Sequence, residues 1–381
     1  MFNIVNKFVF TFVHMEIKDL NQNRLLTPSM LYKYIEGKDL LSHLKILGNS
    51  VEARPIYGYS IGRGSNRILM WSQMHGNEST TTKALIDFWS FLKTDQAEGI
   101  LNECTFLMIP QLNPDGSEAY TRLNANAIDL NRDFIDLSQP ESRLLRQIYD
   151  DFNPDYCFNL HGQRTIFSAG NTSIPATLSF LAPAADPDRS LTPGREIAMK
   201  LIVAANKRLQ KYLKNAVGRY DDTFNINCAG DYFTSKGTPT VLFEAGHYPK
   251  DYKRKTSRKA VYDTLIEMCE VISLNKIDSF SVNEYSKIPE NHKNLRDVEI
   301  YNLKGTSRGI LSEKNRVFVQ FKEELKDGVV LWLPSFDSLN EGYVGLNKIN
   351  AQNHPDLKNI SIDFDEIKNI TKMISLLRLH E

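Results

Sequence analysis

The chain has little of what marks several broad protein classes. Four of its 381 residues are cysteine (Cys104, Cys157, Cys228 and Cys269), far apart and without a C-x-x-C pair. That excludes a disulfide framework or a thiolate metal site and makes a reducing, cytoplasmic compartment the expectation. Neither sign of charge is in excess, since 46 Lys and Arg face 46 Asp and Glu. Such balance gives no electrostatic basis for nucleic acid or a membrane surface as the main partner. No apolar run reaches the length of a membrane span. The opening stretch, MFNIVNKFVFTFVHMEIKDL, has almost no basic n-region and no small-residue cleavage site. No signal peptide is expected there, and initiation at Met15 is one reading of it. Internal repeats, low-complexity tracts, Walker loops and dinucleotide fingerprints are lacking, as is His-Glu-x-x-His, which excludes the helical zincin arrangement.

At this length two domains are expected. From residue 51 to about 275, strand-like and helix-like segments alternate. VEARPIYGYSI, NRILMWSQM, CTFLMIPQLNP, DYCFNLH and TPTVLFEAG read as strands. Between them, Leu85, Phe88, Trp89 and Leu92 recur at helical spacing, as do Leu144, Ile148 and Phe152, and Val261, Leu265, Met268 and Ile272. A further helix begins near Pro193, where proline is tolerated. The alternation predicts an α/β domain over 51–275, with a mixed, mostly parallel central sheet flanked by helices. Residues 1–50 are expected to be an extension packed on that domain, and the polar stretch 276–296 a linker. Residues 297–381 predict a small α+β domain, with a hairpin at Asp327-Gly328 and a terminal helix presenting Ile367, Ile370, Ile374 and Leu377. The basic run KDYKRKTSRK at 250–259 reads as the solvated face of a helix start.

What the chain does have is chemistry at the ends of its predicted strands. His75 and Glu78 follow the strand ending at Met74, His161 closes DYCFNLH, and Glu244 closes TVLFE. In open α/β sheets, ligands bind beyond the carboxyl ends of the strands. Two histidines and one carboxylate are an attested catalytic zinc set with a fourth position left for water. His75, Glu78 and His161 supply that set for one zinc ion, and Glu244 is the spare carboxylate able to act as general base. The stretch NPDGSEAYTRLNANAIDLNRDF, residues 113–134, adds what amide hydrolysis needs. Arg122 can stabilise an oxyanion. Asn131 and Arg132 can hold a terminal carboxylate through paired bonds. Asp129 can orient a zinc-bound imidazole.

Taken in order, HGNE, NPDG, TR, DLNR, NLHG and FEAG resemble the zinc metallocarboxypeptidase family typified by the pancreatic carboxypeptidases, over residues of about 50–275. The resemblance implies that His75, Glu78 and His161 bind zinc and that Glu244 is the general base. It likewise implies that Asn131 and Arg132 hold the substrate carboxylate and that Arg122 faces the oxyanion. The family's mobile tyrosine covering the substrate falls on Tyr220, with Tyr232 as the other candidate. The substrate implied is a peptide or other amide with a free carboxylate.

Each motif alone has a plainer reading. His75 alone is a loop histidine, Glu78 an acid favoured by a helix dipole, His161 a core histidine, and Arg132 a surface ion-pair partner. Asp221, Asp222 and Asp231 read as solvated loop acids rather than selectors of basic substrates. His247, three residues past Glu244, reads as structural, because a fourth protein ligand leaves no place for water. GYSIG at 58–62 matches the nucleophile elbow, yet a turn and another strand follow it, so Ser60 reads as a hairpin residue. HGNE and DLNR are also shared with succinylglutamate desuccinylase and aspartoacylase relatives, and a murein-peptide amidase would use the same site. NPDG looks more like the peptidase branch. A catalytically silent peptide-binding module would lack a ligand or base, and none is missing.

Overall fold

Ile68, Leu69, Met70 and Trp71 are all fully buried. An unbroken apolar run in a strand signals cover on both faces. These residues lie within an eight-stranded sheet in the computed structural model, which describes residues 24–38, 40–302, 316–338 and 342–353. The expected terminal helix with Ile367, Ile370, Ile374 and Leu377 therefore lies outside the described residues, as does Met15.

The first elements are α1 (Pro28–Gly37), β1 (Leu44–Asn49), β2 (Pro55–Gly62), β3 (Asn66–Ser72), α2 (Ser79–Leu92), α3 (Glu98–Glu103) and β4 (Cys104–Ile109). Next come α4 (Pro114–Ala119), α5 (Pro140–Phe152), β5 (Tyr156–Gly162), β6 (Ser168–Ala169), β7 (Leu178–Leu181), α6 (Pro193–Leu209) and β8 (Val217–Arg219). They are followed by α7 (Ala229–Ser235), β9 (Thr240–Ala245), α8 (Lys255–Ser273), α9 (Val282–Tyr285) and β10 (Asn291–His292). The last are β11 (Leu295–Tyr301), β12 (Val317–Lys326), β13 (Val329–Ser338) and β14 (Val344–Asn350).

The large sheet has the order β1-β2-β4-β3-β5-β9-β7-β8. Its central strands β4, β3, β5 and β9 run parallel, whereas the β1–β2, β2–β4 and β7–β9 pairings are antiparallel. This is the mixed, helix-flanked α/β sheet expected. Ile68 and Met70 face a core shared with Phe88, Trp89, Ile202 and Leu265 of α2, α6 and α8. Leu69 and Trp71 face the opposite core, with Leu145 of α5 and Ala229 and Phe233 of α7. The alternation is the period of two of a strand.

Two segments carry more structure than their composition suggests. β1 pairs with β2, so the last part of the 1–50 extension is an edge strand of the large sheet. The 276–296 stretch is a packed strap rather than free chain. It buries Tyr285 and Ile288, and β10 pairs with β6. Each buried apolar side chain of that size contributes about 1.5–3 kcal/mol, which polar composition alone does not reveal. Beyond the strap, a four-stranded sheet runs β13-β12-β11-β14, and its β12–β13 hairpin turns at Asp327 and Gly328, both with positive φ.

Candidate functional site

The carboxyl ends of β3, β5 and β9 converge, and the loop after β3 is locked to the NPDG segment. A Cβ on Gly76 would lie 1.9 Å from the carbonyl carbon of Gly116. Only glycine permits that approach. Asn113 caps α4, its Oδ1 accepting from Gly116 N at 2.8 Å, while its Nδ2 donates to Met74 O at 3.2 Å. Asp115 accepts from Ser50 Oγ at 2.7 Å and from Glu52 N at 3.0 Å. NPDG thus fixes the pose of HGNE from behind.

Glu78 occupies the N-cap position of α2, yet its side chain makes no capping bond. Its carboxylate turns to the two imidazoles instead, with Oε1 2.9 Å from His75 Nδ1 and Oε2 3.0 Å from His161 Nδ1. The two Nδ1 atoms are 3.1 Å apart. Asp129 Oδ1 lies 3.0 Å from His75 Nε2. A carboxylate only accepts, so Nε2 carries a proton towards Asp129, and the neutral form of the ring then presents its Nδ1 lone pair towards Glu78 and His161. His75, Glu78 and His161 each offer a donor atom within 4.8 Å of the others. With both rings neutral and Nδ1 unprotonated, two lone pairs and a carboxylate aimed at one point repel unless a proton or a metal cation lies among them. Arg122 leans on that point, with Nη1 3.2 Å from His75 Nδ1 and 3.5 Å from Glu78 Oε1. The donor set and its burial fit zinc. His161 differs from His75 in that its Nε2 is buried without a partner.

Electrostatics follow the same layout. Burial pushes the Glu78 carboxyl up, but His75 and His161 outweigh it and hold it well below the usual range. Burial pushes His75 down, but Glu78 and Asp129 raise it above its ordinary value. For His161 burial prevails and the ring is lowered. Glu244, the register partner of His161 on the neighbouring strand, is pushed well above the usual range by burial and then by Glu78. Its Oε2 is buried with no hydrogen-bond partner. A carboxyl of this kind, beside the ligands and held ready for a proton, suits acid–base work.

Around this centre, Arg122 also reaches Asp129 Oδ2, at 3.0 Å from Nη2. Asn131 and Arg132 lie in a 3₁₀ turn whose start Asp129 caps by accepting from Asn131 N. Asn131 Oδ1 accepts from Ala229 N at 3.0 Å. Arg132 donates to Asn131 O at 2.6 Å and to Cys228 Sγ at 3.1 Å, with its side chain exposed towards the cavity. Tyr220 lines the same cavity, its ring 5.4 Å from that of Phe167, and burial followed by Glu244 raises its hydroxyl. Tyr232 packs elsewhere, under the guanidinium of Arg146 at 3.5 Å. Ser60 sits within β2, paired with Leu107. His247 is buried with both ring nitrogens unpartnered, against the Tyr252 ring, and is not among the converging ligands.

Two sequence readings need correction. Asp231 is not a solvated loop acid: it is buried in the first turn of α7, lines the cavity, and is raised to about 6 by burial. Asp222 is paired, with Arg189 at 3.1 Å and with Arg195. Nor is the basic run 250–259 simply a wet face. Arg254 is 3% exposed and donates to Ala245 O at 3.0 Å and to Gln163 O at 2.9 Å, the residues just past Glu244 and Gly162.

The cavity encloses about 1130 Å³. Its far wall comes from parts that carry no recognisable motif: Arg24, Asp297, Phe321, Glu323 and Trp332. Strand periodicity placed β12 and β13 but gave no sign that they line the same cavity as His75, Glu78 and His161.

A family model described as "Zinc carboxypeptidase" matches residues 30–337. A probable carboxypeptidase 2 of Arthroderma benhamiae is 26% identical over 223 residues, 56% of this chain and 39% of that protein. The chain therefore spans about two fifths of that curated relative's length. Among solved structures, a metallo-carboxypeptidase from Burkholderia cenocepacia superposes with a TM-score of 0.53 at 18% identity, covering 66% of this chain and 70% of the other. A metallo-carboxypeptidase from Pseudomonas aeruginosa in complex with (2-guanidinoethylmercapto)succinic acid gives 0.53 at 17% identity, covering 66% and 70%. At such identities these two show a shared fold.

Proposed function

The chain belongs to the zinc carboxypeptidase family, and from that premise we propose that it is a zinc-dependent hydrolase removing a C-terminal residue from a peptide or similar amide. The convergence of His75 Nδ1, His161 Nδ1 and the Glu78 carboxylate within 4.8 Å, next to Glu244, carries this reading. Zinc held by those three side chains would supply a Lewis acid and lower the pKa of water at its open position. Glu244 takes a proton from the attacking water and returns it to the departing amine. Arg122, at the edge of the ligand cluster, swings to the oxyanion. Arg132, with Asn131 beside it, holds the free carboxylate of the substrate. Asp129 keeps His75 in the tautomer whose Nδ1 is a ligand. Tyr220 closes over the bound residue.

The purified protein is expected to carry about one zinc per chain. Chelation should abolish hydrolysis of peptides with a free C-terminus, and added zinc should restore it. Hydrolysis that survives complete metal removal would overturn the reading.

A further inference from the structure

The cavity crosses the carboxyl edge of the large sheet from one face to the other. Asn131 and Arg132 lie between Leu130 and Phe134, on the face covered by α5 and α7. Arg254 precedes α8, and Arg24 accepts from Ser79 at the start of α2, both on the opposite face. His161 and Glu244 stand between them. A substrate whose terminal carboxylate rests on Arg132 therefore sends the residues on the amino side of the bond towards the second sheet.

That wall carries more positive charge than its acids use. Glu323 is held by Arg24 and by the Tyr120 hydroxyl. Asp297 accepts from Phe321 N at 2.8 Å, Tyr252 Oη at 2.9 Å and Thr165 Oγ1 at 3.1 Å, and also from Gln320. Asp337 is paired with Arg296 at 2.6 Å. The cations are less engaged. Arg164, Lys293 and Lys322 line the cavity mouth, are exposed, and have no carboxylate partner among the described residues. Deeper in, Arg24 is 8% exposed with its Nε and Nη1 unpartnered, and Arg254 donates to two backbone carbonyls. Phe167, under Lys293 at 6.0 Å, and Phe321 give the same wall apolar surface.

We propose that this wall is a subsite for carboxylates on the one or two residues preceding the scissile bond, so that the preferred substrates are acidic peptides. The assignment rests on the hydrolase reading above for the direction in which the substrate lies. Asp221 and Asp231 also line the cavity, but a wall on which the charges without an ionic partner are of one sign concentrates a ligand of the other and discriminates against like charge.

The test uses zinc-loaded Glu244→Gln protein and N-acetylated tripeptides that share one C-terminal residue (alanine, phenylalanine or lysine series) and vary only before it. Glu-Glu peptides are expected to bind about tenfold more tightly than Gln-Gln peptides at low salt, since each exposed charge pair is worth at most a few-fold. Lys-Lys peptides should bind more weakly still. The difference should fall towards unity at about 1 M salt, where the Debye length is ~3 Å. Arg164→Glu with Lys322→Glu should reverse the order of affinities, and Lys322→Gln alone should narrow it without adding repulsion. Equal affinities, or an order unmoved by these substitutions, would overturn the subsite. The two readings fail separately. Hydrolysis by the unaltered protein without acidic preference defeats only the subsite. Acidic-selective binding without any hydrolysis defeats only the hydrolase. Absence of binding by every peptide defeats both.

Discussion

Glu244 has no hydrogen-bond partner at Oε2, although it is adjacent in register to His161 and close to Glu78. An unpaired buried carboxylate is costly to keep in a fold, so its persistence here needs a reason beyond packing. Proton transfer supplies one. Because Glu244 is not one of the three converging ligands, Glu244→Gln should leave zinc content unchanged while lowering kcat by about 10²–10⁴-fold. Metal analysis and peptide turnover on the same preparation check both halves. Near-normal turnover would remove Glu244 from the chemistry. The residue-level site was legible because its members sit in short local motifs at strand ends: His75 and Glu78 in one turn, and Asp129, Asn131 and Arg132 in another. Arg24 and Arg254 were not legible. Their positions depend on what the chain folds against, and in the sequence they are two more basic residues.

Among the elements, long strands and long amphipathic helices announced themselves. β3, β5 and β9 are apolar runs, and α8 repeats Val261, Leu265, Met268 and Ile272 along one side. β7 and β8, of four and three residues, are too short for any period to show. β1 has only partly buried or exposed residues, as an edge strand does, and it reads as loop. The turn after β3 shows how much one small element decides. It carries two of the three proposed zinc ligands, His75 and Glu78, and Gly76 is the point where it presses on the Gly116 backbone. Gly76→Ala cannot be relieved by a rotamer change, because the obstacle is main chain. It should cost about 1–3 kcal/mol of stability. By displacing His75 relative to His161, it should also weaken zinc binding at least tenfold, by analogy with the loss of ligand-orienting contacts. Urea midpoints and competitive chelator titration measure the two effects. Unchanged zinc affinity would mean that the turn tolerates the added methyl without moving its ligands.

For the molecule as a whole, the question is what holds the second sheet against the site it walls. Two polar clasps do so. Arg24, Tyr120 and Glu323 tie the start of the described chain and α4 to β12. Asp297 ties β11 to Thr165 past the end of β5, to Tyr252 past β9, and to Phe321 on β12. The Asp297 carboxyl is fully buried and raised to about 6 by burial, although the Phe321, Tyr252 and Thr165 donors and Arg254 oppose the shift. The sign of its pH effect follows from that direction. Between the ordinary value of 3.8 and about 6, the folded protein keeps a proton that the unfolded chain releases. Stability from this group is therefore highest in acid and falls as pH rises through that window, by about 2 kcal/mol between pH 4 and pH 7. Asp297→Asn loses acceptor capacity at every pH but removes the titration. Relative to the variant, the unaltered protein should thus lose about that amount of stability over the same range, read from urea midpoints at each pH. A difference that stays flat from pH 4 to pH 7 would mean that Asp297 is ionised throughout. Its donors would then outweigh the burial, and the clasp would be at its strongest at neutral pH, where the cavity beside it has to hold its shape.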